Sequence, residues 1–154
     1  MKQTVRALAI DLVTSGHAHA TLAAALKGLR METAGRKPKG AAHTAWELIE
    51  HIRIAQNDIL QFVTKPKYVS PPWPQGYWPP RAKPASEAEW RRSLARVKRD
   101  LAAMVRLLRT ADLLAPLPHA KDKCLLQEAL LLADHNAYHV GQLVELRKML
   151  GDWK

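Results

Sequence analysis

The sequence contains little cysteine and no long uninterrupted apolar segment. Cys124 is the single cysteine among 154 residues, which excludes an internal disulfide and agrees with a reducing compartment. No apolar run reaches the length that a membrane span requires. The first residues, MKQTVRALAIDLV, lack the apolar stretch and the small-residue cleavage site of a signal peptide. These absences predict a soluble cytoplasmic protein that has no membrane partner.

Strand patterns are also missing from the sequence, whereas helical patterns with capping signals recur. Apolar residues stand at helical spacing in TVRALAIDLV and again from about Thr21, and the break between the two pieces is TSGHAH. Thr44 and Glu47 have the spacing of a capping box, so a helix is predicted over about 45–63. The first half of the chain therefore contains one interrupted helix and one long helix.

The second half contains two more long helices. Ser86 and Glu89 repeat the capping-box spacing ahead of a helix that carries a single apolar stripe. The stripe consists of Trp90, Leu94, Val97, Leu101, Val105 and Leu108. The last helix is predicted over about 123–150 and ends at Gly151. Four main amphipathic helices in a chain of this length predict an all-α fold, a four-helix bundle forming one domain over 1–154.

The connection over 64–86, TKPKYVSPPWPQGYWPPRAKPAS, is too long for a simple turn between helices and holds seven of the ten prolines. Its large rings favour burial over disorder. Three interpretations follow: a crossover strap packed on the bundle, a lid over a pocket, and, less favoured, a polyproline ligand for another domain. Strap and lid are compatible, and at least one of Trp73, Tyr77 and Trp78 is predicted at the rim of a pocket.

The segment DHNAYHVGQ places two histidines four residues apart on the face of the last helix that also carries leucines. His135 and His139 lie about 40° apart around that helix. Two neutral imidazoles are costly to bury without partners, whereas a divalent cation satisfies both. His51, at the edge of the apolar stripe on the second helix, supplies a third ligand and leaves open positions for water or substrate. The intervening NAY lacks the glutamate of HExxH, so zinc-protease chemistry is not supported.

The other histidines are assigned no ligand role. His17, His19 and His43 could line the mouth of the pocket or hydrogen-bond to the ligands, with His17 and His19 the stronger candidates for joining the site. His119 lies beside a proline in a loop and is predicted to be solvated. Three polar residues could orient the ligands or act on a metal-bound water, and interhelical hydrogen bonding explains them equally well. They are Asp58, Glu128 and Gln142.

Three segments resemble the DinB/YfiT-like family of metalloenzymes: HTAWELIEHIRIAQNDIL, YVSPPWPQGYWPP and DHNAYHVGQLVELRKMLGDW. The resemblance covers nearly the whole chain, from SGHAH to Trp153. It implies an up-up-down-down four-helix bundle with a long crossover between the second and third helices. It also implies a divalent metal held by His51, His135 and His139. Characterised relatives include S-transferases and an isomerase that use low-molecular-weight thiols such as bacillithiol or mycothiol.

Two classes of function remain open at this stage. In the first, the protein is a metal-dependent hydrolase or thiol S-transferase that acts on a small-molecule substrate, with a low-molecular-weight thiol as a possible partner. In the second, it is a non-catalytic helical module that binds a metal, an anion or nucleic acid. Three imidazoles accept zinc, nickel, iron, manganese or copper, so the sequence does not determine the metal.

Basic residues cluster on the predicted helix that follows Ser86 and contribute to the formal net charge of +10. These residues are Arg91, Arg92, Arg96, Lys98, Arg99, Arg106 and Arg109. They lie opposite the apolar stripe, as a solvated helix face does, and neither interleaved aromatic residues nor a helix-turn-helix pattern accompanies them. A solvated face is therefore favoured over nucleic-acid binding. Basic side chains near the mouth of the site could still attract a carboxylate or a thiolate.

A homodimer is the expected assembly. On the last helix Leu126, Leu130 and Val140 lie away from the histidines, and exposed apolar patches of this kind usually mark an interface. The family resemblance points to the same conclusion.

Overall fold

The computed structural model describes residues 4–153, and its elements are mostly helical. The helices are α1 (Val5–Thr14), α2 (Leu22–Leu26), α3 (Met31–Ala34), α4 (Ala45–Thr64), α5 (Glu87–Thr110) and α6 (Leu125–Met149). A 3-10 turn spans Gln75–Tyr77, and two short strands follow α5: β1 (Pro116–Leu117) and β2 (Ala120–Cys124). The prediction of an all-α bundle is confirmed.

The directions of the helices follow from two hydrophobic clusters at opposite ends of the bundle. The first cluster includes Trp46 of α4, Trp90 of α5 and Leu143 of α6. The second includes, from the same helices, Ile59, Leu108 and Ala129. The helices α4 and α5 are therefore parallel, and α6 runs against both. Since Ala9 of α1 belongs to the second cluster and Leu26 of α2 to the first, the opening segment runs parallel to α6.

The opening segment, α4, α5 and α6 therefore run up, down, down and up. The up-up-down-down order that the family resemblance implies is wrong. The observed order also explains the long crossover. Because α4 and α5 are parallel, the chain must return along about 30 Å, the length of a helix of the 20 residues found in α4, before α5 begins. The proline-rich connection covers that distance, and the predicted crossover between the second and third helices of the bundle, α4 and α5, is confirmed.

The starts of α4 and α5 differ in their capping. At α4 both halves of the predicted capping box are present: Glu47 N–H donates to the Thr44 hydroxyl, and Thr44 N–H donates to the Glu47 carboxylate. At α5 the Ser86 hydroxyl accepts from Glu89 N–H, but the Glu89 carboxylate accepts from the N–H of Ala85 instead. The second box is thus only half formed, although the helix starts as predicted.

The buried face of α5 differs from the predicted stripe. Trp90, Val97 and Leu108 are buried as expected, whereas Leu94, Leu101 and Val105 are only partly buried. The polar residues Ser93 and Asp100 are buried in their place. Ser93 donates to the Glu50 carboxylate, and Asn57 donates to Asp100 at 3.1 Å. The parallel neighbour α4 supplies these partners, and a hydrophobicity pattern on one helix cannot show them.

A short hairpin precedes α6, although the sequence shows no strand pattern there. β1 and β2 pair antiparallel, with Pro116 opposite Cys124 and Leu117 opposite Ala120. Strands of two and five residues are too short to show the alternation that identifies a strand in a sequence. Because the hairpin takes the residues up to Cys124, α6 begins two residues later than predicted.

The end of α6 agrees with its sequence signal. Gly151 has a φ of 68°, in the left-handed region that favours glycine. Its N–H donates to the Lys148 carbonyl at 3.0 Å, and the next N–H, of Asp152, donates to the Arg147 carbonyl at 2.8 Å. These two hydrogen bonds form a Schellman motif, which satisfies the last carbonyls of the helix.

The exposed surface includes both charged and apolar stretches. All seven basic residues named on α5 are exposed, as a solvated face requires. Val140 is 2% exposed, so its expected place in an interface is wrong, because it packs in the first cluster beside Leu143. Leu126 is partly buried against the second cluster, and Leu130 remains 44% exposed. Within residues 4–153, no helix combines the length and the apolar character needed to cross a membrane.

Candidate metal centre

Three histidines meet where α4 packs against α6. His51 of α4 and His135 and His139 of α6 each offer a ring nitrogen, and these nitrogens all lie within 4.8 Å of one another. The Nε2 atoms of His51 and His135 are 3.0 Å apart. The structure thus brings together the three residues that the sequence predicts as ligands. His51 and His139 are buried, whereas His135 is half-buried.

His51 is held by the crossover on two sides. Its Nδ1–H donates to the Tyr77 carbonyl at 2.8 Å. Its ring stacks on the indole of Trp78, with centroids 4.1 Å apart and planes 7° from parallel. Because a carbonyl can only accept, the proton of the neutral imidazole sits on Nδ1 and the lone pair on Nε2. The lone pair therefore points toward the other two histidines.

His139 is held in the same tautomer by a residue of its own helix. Its Nδ1–H donates to Oε1 of Gln142 at 2.7 Å, nearly one turn further along α6. The Nε2 lone pair of His139 is thereby left free, as it is in His51. Gln142 therefore orients His139, which was one of the two roles proposed for it. The hydrogen bond lies within α6 rather than between two helices.

His135 lacks such a support. Its Nδ1 is buried and has no hydrogen-bond partner among residues 4–153. If His135 donated from Nε2 to His51, this Nδ1 would be a buried acceptor without a donor, which is unfavourable. If it did not donate, two lone pairs would face each other at 3.0 Å. The protein groups alone leave one of these two problems unsolved.

Burial keeps the three imidazoles neutral. Desolvation, with a smaller contribution from the neighbouring His139 and His51, lowers the pKa of His135 to about 4. Desolvation is also the main cause that lowers the pKa of His51 and the pKa of His139, against the opposing hydrogen bonds to Tyr77 and Gln142. A neutral imidazole is the form that binds a metal.

The three residues fit a divalent cation on this structure. A cation between the facing nitrogens of His51 and His135 would satisfy both lone pairs at once. Two nitrogens that each bind one ion at about 2.1 Å lie at most about 4.2 Å apart, and the 3.0 Å separation is within that limit. The cluster could therefore hold a metal ion.

A second layer of polar groups lies two turns from the histidines. Asp58 follows His51 by seven residues and Glu128 precedes His135 by seven, so on antiparallel helices the two carboxylates are on the same side of the bundle, about 10 Å from the cluster. The Tyr77 hydroxyl donates to Asp58 at 2.7 Å. Burial raises the pKa of Glu128, Lys123 opposes that shift and the charge of Asp58 adds to it. Tyr77 thus links His51, through its carbonyl, to Asp58, through its hydroxyl.

The crossover packs directly on the cluster. Trp78 is in contact with His51, which confirms that at least one of the three predicted rings lies at the site. Trp73 is instead 77% exposed and touches only the edge of the Tyr77 ring among the aromatic residues described. The crossover therefore acts as a strap that packs on the histidine cluster through Trp78.

The remaining histidines lie outside the cluster. His43 stacks on the face of Trp78 with centroids 4.1 Å apart, so the indole separates it from His51. His17 pairs with Asp11 at 2.9 Å, and His19 contacts the carbonyl of the next residue at 2.8 Å. The exposed His119 packs its ring against Phe62. None of these four belongs to the group of candidate ligands found within residues 4–153.

Sequence reasoning missed the supporting role of His43. Its position two turns before His51, about 80° around the helix, correctly argues against ligation. The tryptophans of the crossover were the available signal, because a flat indole can stack on one histidine with each of its two faces. Only the packing of the crossover shows that Trp78 occupies this place.

The chain matches a known protein family. The model of the DinB superfamily matches residues 16–143, a range that contains all three clustered histidines and the whole crossover. Neither the comparison with curated proteins nor the comparison with solved structures gave a match.

Proposed function

This chain belongs to the DinB superfamily, and from that premise we propose that it is a metal-dependent enzyme in which His51, His135 and His139 hold one divalent ion. The observation that carries the proposal is the convergence of the three imidazoles, whose ring nitrogens lie within 4.8 Å of one another, with the Nε2 atoms of His51 and His135 3.0 Å apart. The opposite ring nitrogens of His51 and His139 are already occupied by hydrogen bonds, so the free lone pairs converge.

A bound divalent ion would supply Lewis-acid chemistry, lowering the pKa of a water molecule or a thiol that enters the site. The protein groups around it have distinct tasks. Tyr77 and Trp78 fix the ring of His51, and Gln142 fixes the ring of His139. His135 is half-buried whereas the other two candidate ligands are buried, and we propose that a small-molecule substrate approaches on its side. Hydrolysis and S-transfer are the two reactions that we propose for such a site.

Metal binding is tested first. We expect tag-free protein to contain about one divalent ion per chain by elemental analysis, and the His139→Ala variant to lose it while remaining helical. Zinc at 100 times its dissociation constant would stabilise the wild type by about 2.7 kcal/mol, seen as a higher melting temperature. His119→Ala is the matched control, because that exposed ring is not among the candidate ligands. Unchanged metal content in His139→Ala would overturn the assignment.

The reaction is tested on the metal-loaded protein. A panel of thiol-conjugation substrates and a panel of ester and amide substrates, each run with and without a chelator, distinguish S-transfer from hydrolysis. We expect turnover in one panel that disappears on chelation and in the His135→Ala variant. Metal binding without turnover in either panel would instead identify a non-catalytic metal-binding module.

A further inference from the structure

An apolar pocket of about 230 Å³ lies between the segment that precedes α4 and the last turns of α6. Its apolar walls are Ala41, Ala42, Leu48, Leu146 and Met149, and its polar residues are His43, Gln142 and Glu145. A site of this kind, concave and mainly apolar with few polar groups, is the usual form of a small-molecule pocket.

Two further residues of the pocket wall also support the histidine cluster. His43 lines the pocket and stacks on Trp78, whose other face carries His51. Gln142 lines the pocket and accepts the hydrogen bond from His139 Nδ1. The pocket is thus separated from the metal ligands by one layer of side chains, and those side chains are the ones that orient the ligands.

The size and chemistry of the pocket define its ligand. A cavity of about 150 Å³ lined by aliphatic residues can bind benzene, so 230 Å³ accommodates one aromatic ring with a small substituent. The His43 ring and the Met149 sulfur both make favourable contacts with an aromatic ring. Gln142 uses Oε1 toward His139, while its Nε2 has no protein hydrogen-bond partner among the described residues. That amide can donate to an oxygen of the ligand.

We propose that this pocket binds a single aromatic ring bearing a hydrogen-bond acceptor oxygen, and that Gln142 couples its occupancy to His139. The inference goes beyond the proposed function, since the ring needs no metal in order to bind. A ligand oxygen that accepts from Gln142 Nε2 holds the amide in the orientation that places Oε1 on His139. By thermodynamic linkage, the ligand then raises the affinity of the histidine cluster for its ion, and the ion raises the affinity for the ligand.

Ring binding is tested in metal-free, full-length protein by fluorine NMR with 4-fluoroacetophenone as the probe. We expect a saturable shift with a dissociation constant on the order of 1 mM, as suits a fragment of this size. Met149→Trp and Ala42→Phe fill the pocket from two sides and should each abolish the shift. Both positions lie at the exposed rim, so the variants should fold. Leu130→Trp, an exposed change on the same helix away from the pocket, should leave the shift unchanged.

The acceptor oxygen is tested with 4-fluorotoluene, which lacks it. We expect this probe to bind about threefold more weakly to the wild type, the cost of one neutral hydrogen bond, and Gln142→Leu to remove the difference. Saturable binding that survives both filling variants, or no binding up to the solubility of the probe, would overturn the site. Equal binding of the two probes to the wild type would overturn the role of Gln142.

Coupling is tested by zinc titration with and without saturating 4-fluoroacetophenone. We expect about a fivefold higher zinc affinity in its presence for the wild type and no change for Met149→Trp. An unchanged affinity in the wild type would overturn the coupling. The ring-binding experiment contains no metal, so a failure of the proposed metal site leaves its result intact, and the two failures are distinguishable.

Discussion

The indole of Trp78 lies between two imidazoles of the same chain segment, with centroids 4.1 Å from His43 and 4.1 Å from His51. The planes are 15° and 7° from parallel, so the three rings form one stack. His51 can therefore neither tilt nor turn without displacing the indole. Together with the Tyr77 carbonyl, this stack fixes the direction of the His51 Nε2 lone pair.

Replacing Trp78 by alanine should weaken metal binding while all three ligands remain. Loss of an outer group that orients a ligand typically costs about 10- to 100-fold in metal affinity, and we expect a loss in that range. Competition with a zinc chelator of known affinity measures it. Trp73→Ala is the matched control, because that exposed ring does not touch the histidines, and it should retain the wild-type affinity. Equal affinity of the two variants would contradict the role of the stack.

Gln142 offers a second test of ligand orientation, on the other helix. Gln142→Ala removes the acceptor for His139 Nδ1–H, and we expect about a tenfold loss of zinc affinity. Gln142→Glu keeps a carboxylate oxygen at the same place and should restore most of the affinity. Isothermal titration with zinc measures both variants. If alanine and glutamate weaken binding equally, the hydrogen bond does not orient His139.

The tyrosines near Asp58 predict a change in stability at alkaline pH. Burial, followed by interactions with Asp58, raises the pKa of Tyr77 and the pKa of Tyr68 from 10.0 to about 12. Because the pKa of each tyrosine is higher in the folded state, the neutral hydroxyls stabilise the fold. Their contribution to the free energy of unfolding is complete below about pH 10 and is lost as the pH rises toward 12. Asp58→Asn should lower the midpoint of phenolate formation, followed by ultraviolet absorbance. Asp122→Asn, which removes an exposed carboxylate, should not shift the midpoint.

We also propose that two copies of the chain associate through α1. Val5, Leu8 and Leu12 follow one another at helical spacing and are 56%, 50% and 47% exposed. The stripe adjoins the face of α1 that packs in the core through Ala9, and its own side chains stay exposed, so we infer that a second copy covers them. We expect a dimeric mass by light scattering at micromolar concentration and a monomeric mass for Leu8→Lys. Leu114→Lys, an exposed leucine outside α1, should stay dimeric, and a monomeric wild type would contradict the proposal.

Local signals in the sequence were sufficient for the helices and for the candidate ligands. The capping box at Thr44 and the glycine at 151 define their helix ends because both act through neighbouring residues of the chain. The spacing of His135 and His139 places them on one helix face by the geometry of the helix alone. Since α4 and α6 are both amphipathic and must bury one face, the sequence also predicts His51 as a third ligand beside His135 and His139.

Helix direction, the polar core of α5 and the outer supports of the ligands were decided by tertiary structure. Ser93 and Asp100 are buried because α4 happens to place Glu50 and Asn57 opposite them, and no pattern within α5 contains that information. The same holds for Trp78, which reaches His51 because α4 and α5 are parallel and the crossover must return along the bundle. Periodicity determines which side of a helix is buried, whereas the partners found there depend on packing between segments that are distant in the chain.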